Sequence, residues 1–192
     1  MFIDYLTLML VNMAAGLVLL AAYVAFGLTR MDQRAWVPGF GIVGAVALCT
    51  GLHMSLTWPL PGVFNVAFGE MTVLLGVLFL AAAIALAKGW GLLSVGIYAA
   101  FAGAASIVVG VRLIDLALTM APVPSGVGFI LTGSAGALVL IAVLRPRWAV
   151  VRAVVALALL GAGALWAYTA FSAYWMHMAS LQSWVPLPMR GA

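Results

Sequence analysis

Five ionisable side chains lie within or beside long apolar stretches of this sequence: His53, Glu70, Arg112, Asp115 and His177. Ionisable groups in a membrane span are costly, so they face the interior of the helix bundle or a water-filled cavity and pair with one another or serve function. Imidazole, carboxylate and guanidinium groups together suit three tasks, which are binding a small ligand, exchanging protons and holding a metal ion. Whether they act together depends on the helices that carry them.

Spacing along the chain predicts a contact network among four of these residues. Arg112 and Asp115 are three residues apart on one predicted helix and can form an ion pair. Glu70 begins the next helix after His53, so both lie beside the same connection. We therefore expect Glu70, Arg112 and Asp115 to form one hydrogen-bonded network, with His53 bordering the same cavity.

Histidine and methionine are neighbours at two places, which raises the question of a metal. Met54 follows His53, and His177 lies between Met176 and Met178. Thioether and imidazole ligands suit copper(I), although methionine also fills gaps in apolar packing. Two histidines at similar depth would equally suit bis-imidazole haem b, so the sequence leaves both cofactors open. No catalytic motif is present, and we do not expect an enzyme.

The amino-acid composition indicates that most of this protein is surrounded by lipid rather than by water. The chain has 192 residues, of which 67% are hydrophobic and 6% are charged. Its mass is 20.0 kDa and its mean hydropathy is +1.27. Soluble domains are about 25% charged, so this chain lacks the polar side chains that a water-facing surface needs. The composition excludes a soluble enzyme and a nucleic-acid-binding module, and the single cysteine excludes an intramolecular disulfide.

The apolar stretches predict an all-α, polytopic membrane protein with six transmembrane helices and short loops. One integral membrane domain covers residues 1–192, with spans at about 5–28, 37–56, 68–87, 92–118, 127–144 and 150–178. Each is long enough to cross a bilayer, which takes roughly 20 residues, and the fourth and sixth are longer than that. The first five residues carry an acid and no basic residue, so we expect the first span to be retained rather than cleaved as a signal peptide.

Basic residues predict the orientation of the bundle. With six spans, six of the eight basic residues fall on one side: Arg30, Arg34, Lys88, Arg145, Arg147 and Arg152. Because cytoplasmic loops are enriched in lysine and arginine, this side is predicted to be cytoplasmic. Both termini would then lie outside the plasma (inner) membrane, and the five ionisable candidates would share its outer layer.

Two further patterns concern packing. Glycines recur every seven residues in the predicted spans, as in Gly96, Gly103 and Gly110, which indicates stripes for close helix contact. The connection 58–69 is apolar and uncharged, so we expect it to fold back into the outer mouth of the bundle. Its Trp58 and Asn65 complete the predicted ligand-binding set.

Several stretches resemble a family of prokaryotic integral membrane proteins known only as a domain of unknown function. The most specific stretch comprises segments 38–41, 50–54, 57–62 and 65–70, and segments 86–90 and 110–112 are similar too. The resemblance covers most of the chain. It implies a membrane protein and no particular activity.

The sequence as a whole favours an integral membrane protein with an outward-facing polar pocket that binds a small ligand, metal or cofactor. One alternative is a small-solute or proton-coupled transporter, because carboxylate and histidine relays are typical of transporters. Another is a non-catalytic accessory subunit of a larger membrane complex, or a homo-oligomer, whose polar residues meet a partner. The lipid bilayer is the partner common to all three, and nucleic acid is not expected.

Overall fold

The computed structural model describes residues 5–182 and residue 184, and the regular structure in this part of the chain is entirely helical. The helices are α1 (Leu6–Ala22, continued by the π-helical turn Tyr23–Gly27), α2 (Val37–Thr57, preceded by the 3₁₀ turn Arg34–Trp36), α3 (Met71–Lys88, preceded by the π-helical turn Asn65–Glu70), α4 (Leu93–Asp115), α5 (Pro122–Leu144) and α6 (Ala149–Ser180). The prediction that both chain termini lie outside the membrane concerns residues that are not among those described.

All six helices, with their flanking turns, are long and apolar enough to cross a membrane. The candidate spans are Leu6–Gly27, Arg34–Thr57, Asn65–Lys88, Leu93–Asp115, Pro122–Leu144 and Ala149–Ser180. Within residues 5–182, the predicted number of long helices and the all-α class are confirmed. Six such helices joined by short loops indicate a multi-pass membrane protein.

The predicted boundary between the fourth and fifth spans is wrong by several residues. The structure ends α4 at Asp115 rather than at 118, and it begins α5 at Pro122 rather than at 127. Proline is tolerated in the first turn of a helix because the N–H groups there have no intrahelical partner. The two prolines of segment 122–124 therefore lie in the first turn of the fifth helix.

The bundle contains antiparallel helix pairs in close contact, and glycine makes two of these contacts. In the α4–α5 pair, a Cβ atom added to Gly110 would lie 2.6 Å from the carbonyl oxygen of Gly126. One added to Gly103 would overlap the carbonyl oxygen of Gly133. In the α2–α3 pair, a Cβ on Gly51 would lie 2.7 Å from the backbone nitrogen of Val73. The glycine stripes thus bring helix backbones together, as the sequence predicted.

Buried polar side chains add hydrogen bonds between helices. Asn12 of α1 donates from Nδ2 to the carbonyl oxygen of Val43 in α2, at 3.0 Å. Ser106 of α4 donates from Oγ to the carbonyl oxygen of Phe129 in α5, at 2.8 Å. Because the surroundings are apolar, these bonds satisfy groups that would be costly to leave unpaired.

The loops that follow α1, α3 and α5 lie at one end of the bundle, which we name the basic end. It carries the six basic residues given above, and Arg152 donates there to the carbonyl oxygen of Pro146. The other end, named the opposite end, is formed by the start of α1, the connections 58–64 and 116–121, and the end of α6. The two ends differ in what they offer a ligand.

Candidate functional site

A cavity of about 140 Å³ lies between the helices, and we name it the interhelical cavity. Its walls come from all six helices, chiefly α1, α3, α4 and α5. Along α1 the lining runs from Met9 to Val24, which at about 1.5 Å per residue is roughly 22 Å of helix. This length of helix is comparable with most of the roughly 30 Å thickness of a bilayer's hydrocarbon core.

The wall of the cavity offers few hydrogen-bonding groups, because most of its polar side chains already bond to the protein. Tyr23 donates from Oη to Oε1 of Gln33, and Ser106 donates to the backbone. Thr132 accepts at Oγ1 a hydrogen bond of 2.9 Å from Nε1 of Trp166. Most of the other lining side chains are aliphatic or aromatic. The cavity therefore suits an apolar molecule.

Two groups of aromatic rings make the deep wall rigid. Phe40 contacts both Tyr23 and Phe79 edge-to-face, each with 5.3 Å between ring centroids. Phe129 makes similar contacts with Phe68 and Trp166, again at 5.3 Å. Such contacts add to the energy of burial and fix the orientation of each ring. The deep wall is therefore a preformed surface.

The front of the cavity opens sideways between α3 and α4. Lining residues of these two helices are half-buried, as in Leu75, Leu78, Ala99 and Ala102. Lining residues of the deep wall, such as Leu159 of α6, are buried. Helix α3 packs closely against α2 and only loosely against α4. In a bilayer, such an opening faces the lipid chains.

None of the seven residues predicted to bind a ligand lines the interhelical cavity. The structure places His53 and His177 at the opposite end, where both contact the start of α1. Nδ1 of His53 lies 2.9 Å from Oη of Tyr5, and Nδ1 of His177 lies 3.2 Å from Oγ1 of Thr7. Tyr5 and Thr7 are two residues apart, so the structure brings both imidazoles to one helix end.

The predicted network at Arg112 is present only in part. Nη1 of Arg112 lies 2.6 Å from Oδ2 of Asp115, which is the predicted ion pair within α4. Both side chains are more than half exposed, so the pair is on the surface of the bundle. Glu70 is exposed and forms no hydrogen bond or ion pair with either of them within the described range 5–182. The expected contact between Glu70 and Arg112 is therefore not formed.

Asn65 is used to fold the connection between α2 and α3. Its Nδ2 donates to the carbonyl oxygens of Leu60 and Gly62, at 2.5 and 3.1 Å. Its Oδ1 accepts from the backbone N–H of Leu60, at 3.2 Å. Leu60, Val63 and Phe64 pack against the core, so this part of the predicted connection lies against the bundle. Residues 65–69 of the predicted connection instead form the helical turn that leads into α3. Trp58 ends α2 with a φ of 46° and is 55% exposed.

The residues suggested for a metal do not converge. Met54 is fully buried in the α2–α3 contact beside Gly69, whereas Met176 and Met178 are exposed on α6. Among residues 5–182, no three His, Cys, Asp or Glu side chains are close enough to hold a metal ion. An axial pair for haem b would need both imidazoles to face one cavity, and neither lines the interhelical cavity. Copper and haem b stay predictions from the sequence alone.

Sequence reasoning missed the interhelical cavity and the polar groups near it. Each helix is apolar on all sides, so hydrophobic periodicity does not show which face meets which neighbour. One signal was available in α4, where small residues recur at spacings of three and four, at Gly96, Ala99, Ala102, Gly103 and Ser106. Gly96, Gly103 and Ser106 of this set contact α5, and Ala99 and Ala102 line the cavity beside them.

Comparison with known proteins agrees with the resemblance read from the sequence. A family model, described as Protein of unknown function (DUF981), matches residues 1–180. Neither a curated protein nor a solved structure matches the chain. Because the family model covers nearly the whole length, the chain belongs to the DUF981 family of proteins of unknown function.

Proposed function

We propose that this protein is an integral membrane protein that binds a hydrocarbon chain of a membrane lipid in the interhelical cavity. The observation that carries the proposal is the cavity itself, which is apolar, extends along the helices and opens sideways between α3 and α4. The ligand differs in class from the polar ligand that the sequence suggested. The proposed binding site also lies in the interior of the bundle, whereas the sequence suggested a site at its opposite end.

The size and chemistry of the cavity support a hydrocarbon ligand. An apolar cavity of about 150 Å³ in a soluble protein stays dry and binds benzene. The interhelical cavity has a similar volume, about 140 Å³, and its polar groups are largely engaged with the protein. A short stretch of acyl chain has the matching size and polarity. The bilayer supplies such chains at high local concentration on the side where the cavity opens.

The basic end supports a proposal for orientation. Six basic residues lie in or beside the three loops of that end, so we assign it to the cytoplasm by the positive-inside rule. The opposite end, and with it His53 and His177, would then face outward. Cysteine labels at Gln33 and Val63 should react from opposite sides of the plasma membrane, and reaction from one side would contradict the assignment.

A matched pair of substitutions in α4 tests the lipid proposal. Ala102 lines the cavity, whereas Ala104 is exposed on the outside of the same helix. The protein is reconstituted with a phospholipid that carries a diazirine on its acyl chain, and labelling is measured after photolysis. Ala102→Phe should fill the cavity and reduce labelling of cavity-lining peptides severalfold, while Ala104→Phe should leave it unchanged.

Other occupants of the cavity would give different results. If the cavity receives a helix of a second copy of this chain, photolysis of a diazirine-containing residue at Ala102 will join two chains instead of a chain and a lipid. That result would overturn the lipid proposal. Equal labelling in wild type, Ala102→Phe and Ala104→Phe would also overturn it.

A second candidate function is binding of a small ligand, metal or cofactor by polar residues at the opposite end. A related form of this candidate is proton-coupled transport through the same residues. One observation favours it, since His53 and His177 both bond to the first turns of α1. The absorbance spectrum and metal content of the purified protein test it. A Soret band or stoichiometric copper that is lost in His53→Phe would support this candidate, whereas a protein without either would exclude the cofactor form.

A further inference from the structure

A polar depression lies at the basic end, beside the opening between α3 and α4. It is formed by the loop after α1 and by the α3–α4 connection, and we name it the basic-end depression. Its lining includes Asp32, Gln33, Arg34, Lys88 and Trp90. The α3–α4 connection also closes this end of the sideways opening, because α3 ends at Lys88 and α4 begins at Leu93. A ligand that enters between α3 and α4 therefore meets this depression.

Within the depression, one basic side chain is neutralised and another is not. Nε of Arg34 lies 3.3 Å from Oδ1 of Asp32, and the backbone N–H of Arg34 donates to the same oxygen at 3.0 Å. That backbone N–H and the guanidinium hold the pKa of Asp32 below its usual value, so the pair stays ionised. The ammonium group of Lys88 is exposed and has no ion pair with any side chain that the structure describes. The uncompensated positive charge of the depression is therefore that of Lys88.

The depression and the interhelical cavity share a wall. Gln33 lines the depression, and its Oε1 accepts a hydrogen bond of 2.5 Å from Tyr23, which lines the cavity. Nε2 of Gln33 donates to the carbonyl oxygen of Arg30 at 3.0 Å, which fixes the amide. On α3, Ala82 lines the cavity and Leu86 lines the depression. These two residues are about 6 Å apart along the helix axis.

We propose that the ligand of the cavity is an anionic phospholipid, whose acyl chain lies in the interhelical cavity and whose phosphate is bound at Lys88. This inference rests on the proposed function and adds the class of the headgroup. Lys88 is six residues beyond Ala82 on α3, which is about 9 Å along the helix axis. A positive charge at this distance from an apolar cavity complements an amphiphile with a negative head and a hydrocarbon tail. Trp90 lies in the same depression, and tryptophan is typical of the headgroup level of a bilayer.

A basic residue at the end of α3 also has an explanation that involves no lipid. The test must distinguish that explanation from binding of a lipid phosphate. A basic residue in the last turn of a helix interacts favourably with the helix dipole. This effect would explain why a basic residue occupies position 88, and it contributes to stability. It does not make the protein prefer one lipid headgroup over another. Arg147 provides a matched control, because it is an exposed basic residue of the same end that does not line the depression.

The test compares two photoreactive lipids with identical acyl chains, phosphatidylglycerol and zwitterionic phosphatidylcholine, in vesicles that contain the full chain. One basic residue near the surface favours an anionic lipid by about fivefold. Wild type and Arg147→Gln should therefore label about fivefold more with phosphatidylglycerol, and Lys88→Gln should label equally with both. A preference that persists in Lys88→Gln, or that disappears equally in Arg147→Gln, would overturn the inference.

Two further arms separate this inference from the proposed function and from binding of free phosphate. If wild type labels equally with both lipids and Ala102→Phe abolishes both signals, the headgroup inference fails while the cavity still binds lipid. If neither lipid labels cavity-lining peptides, the proposed function fails and the inference fails with it. Added inorganic phosphate should leave the preference intact. Its loss in the presence of phosphate would show a site for the free anion and overturn the lipid assignment.

Discussion

Helix α4 packs against both α5 and α3, and its contacts with them differ in kind. Towards α5, Gly103 and Gly110 meet glycines of the partner helix, and the backbones touch. Towards α3, Ala99 and Ala102 line a cavity. Small residues thus give close packing where the facing helix also carries small residues. On the side towards α3, the small residues of α4 line the interhelical cavity together with leucines of α3, such as those at 75 and 78. A stripe of small residues therefore predicts a close contact only when the opposing face is known.

The largest expected effect is on the glycine contact. Gly103→Ala should destabilise the bundle by about 1–3 kcal/mol, because the added Cβ overlaps the backbone oxygen of Gly133 and neither backbone can move alone. Gly161→Ala is the matched control, since a Cβ at Gly161 meets nothing within 4 Å. It should be neutral or stabilise by up to about 1 kcal/mol. Thermal unfolding in detergent measures both, and equal shifts would refute the packing difference.

The next effect concerns the cavity side of the same helix. Added lipid should raise the unfolding temperature of the wild type in detergent, because a ligand that binds only the folded state stabilises it by mass action. Ala102→Phe should remove most of this lipid-dependent rise, since its ring occupies the cavity. Ala104→Phe should retain it, because Ala104 is exposed on the outside of α4. A lipid-dependent rise of the same size in both variants would place the stabilising lipid elsewhere.

A smaller effect is expected at Ser106, which belongs both to the cavity wall and to the α4–α5 contact. It lines the cavity and donates to the carbonyl oxygen of Phe129 across the α4–α5 contact. Ser106→Ala should cost about 1 kcal/mol, the net value of a typical hydrogen bond. Lipid labelling in the cavity should be unchanged, because the hydroxyl already bonds to the protein. Reduced labelling with unchanged stability would instead mean that the hydroxyl of Ser106 contacts the ligand and that its hydrogen bond to Phe129 does not stabilise the bundle.

The smallest effect is expected at the exposed end of α4. Arg112→Gln removes an ion pair whose two side chains are more than half exposed, and such pairs contribute about 0–1 kcal/mol. Neither thermal stability nor cavity labelling should change measurably. A loss of several kcal/mol would mean that Arg112 interacts with more than Asp115, as the sequence-based network assumed.

The sequence predicted what depends on length and local spacing. The six helices, the pairing of Arg112 with Asp115 and the glycine contacts all follow from such patterns. The start of α5 at Pro122 was missed, because a proline that ends one helix and a proline that starts the next look alike in sequence.

The site was harder to predict, because it depends on how faces of different helices meet. Equal depth in the membrane suggested that Glu70 would reach Arg112, but depth does not fix the angle at which a side chain leaves its helix. The cavity left no strong signal, because a leucine that faces lipid and a leucine that lines a cavity have the same local pattern. Tyr23 and Gln33, which join the cavity to the basic-end depression, are ten residues apart and contact through the turn between α1 and α2.

The central claim, that a lipid chain lies in the interhelical cavity, is tested most directly by mapping the labelled residues. Wild-type protein is photolabelled with the diazirine phospholipid in vesicles, digested, and sequenced by mass spectrometry. If the lipid chain occupies the cavity, labels are expected on cavity-lining residues such as Leu75, Leu78 and Ala102. Labels confined to outward-facing residues such as Phe101 and Val108, which are 77% and 63% exposed, would contradict it.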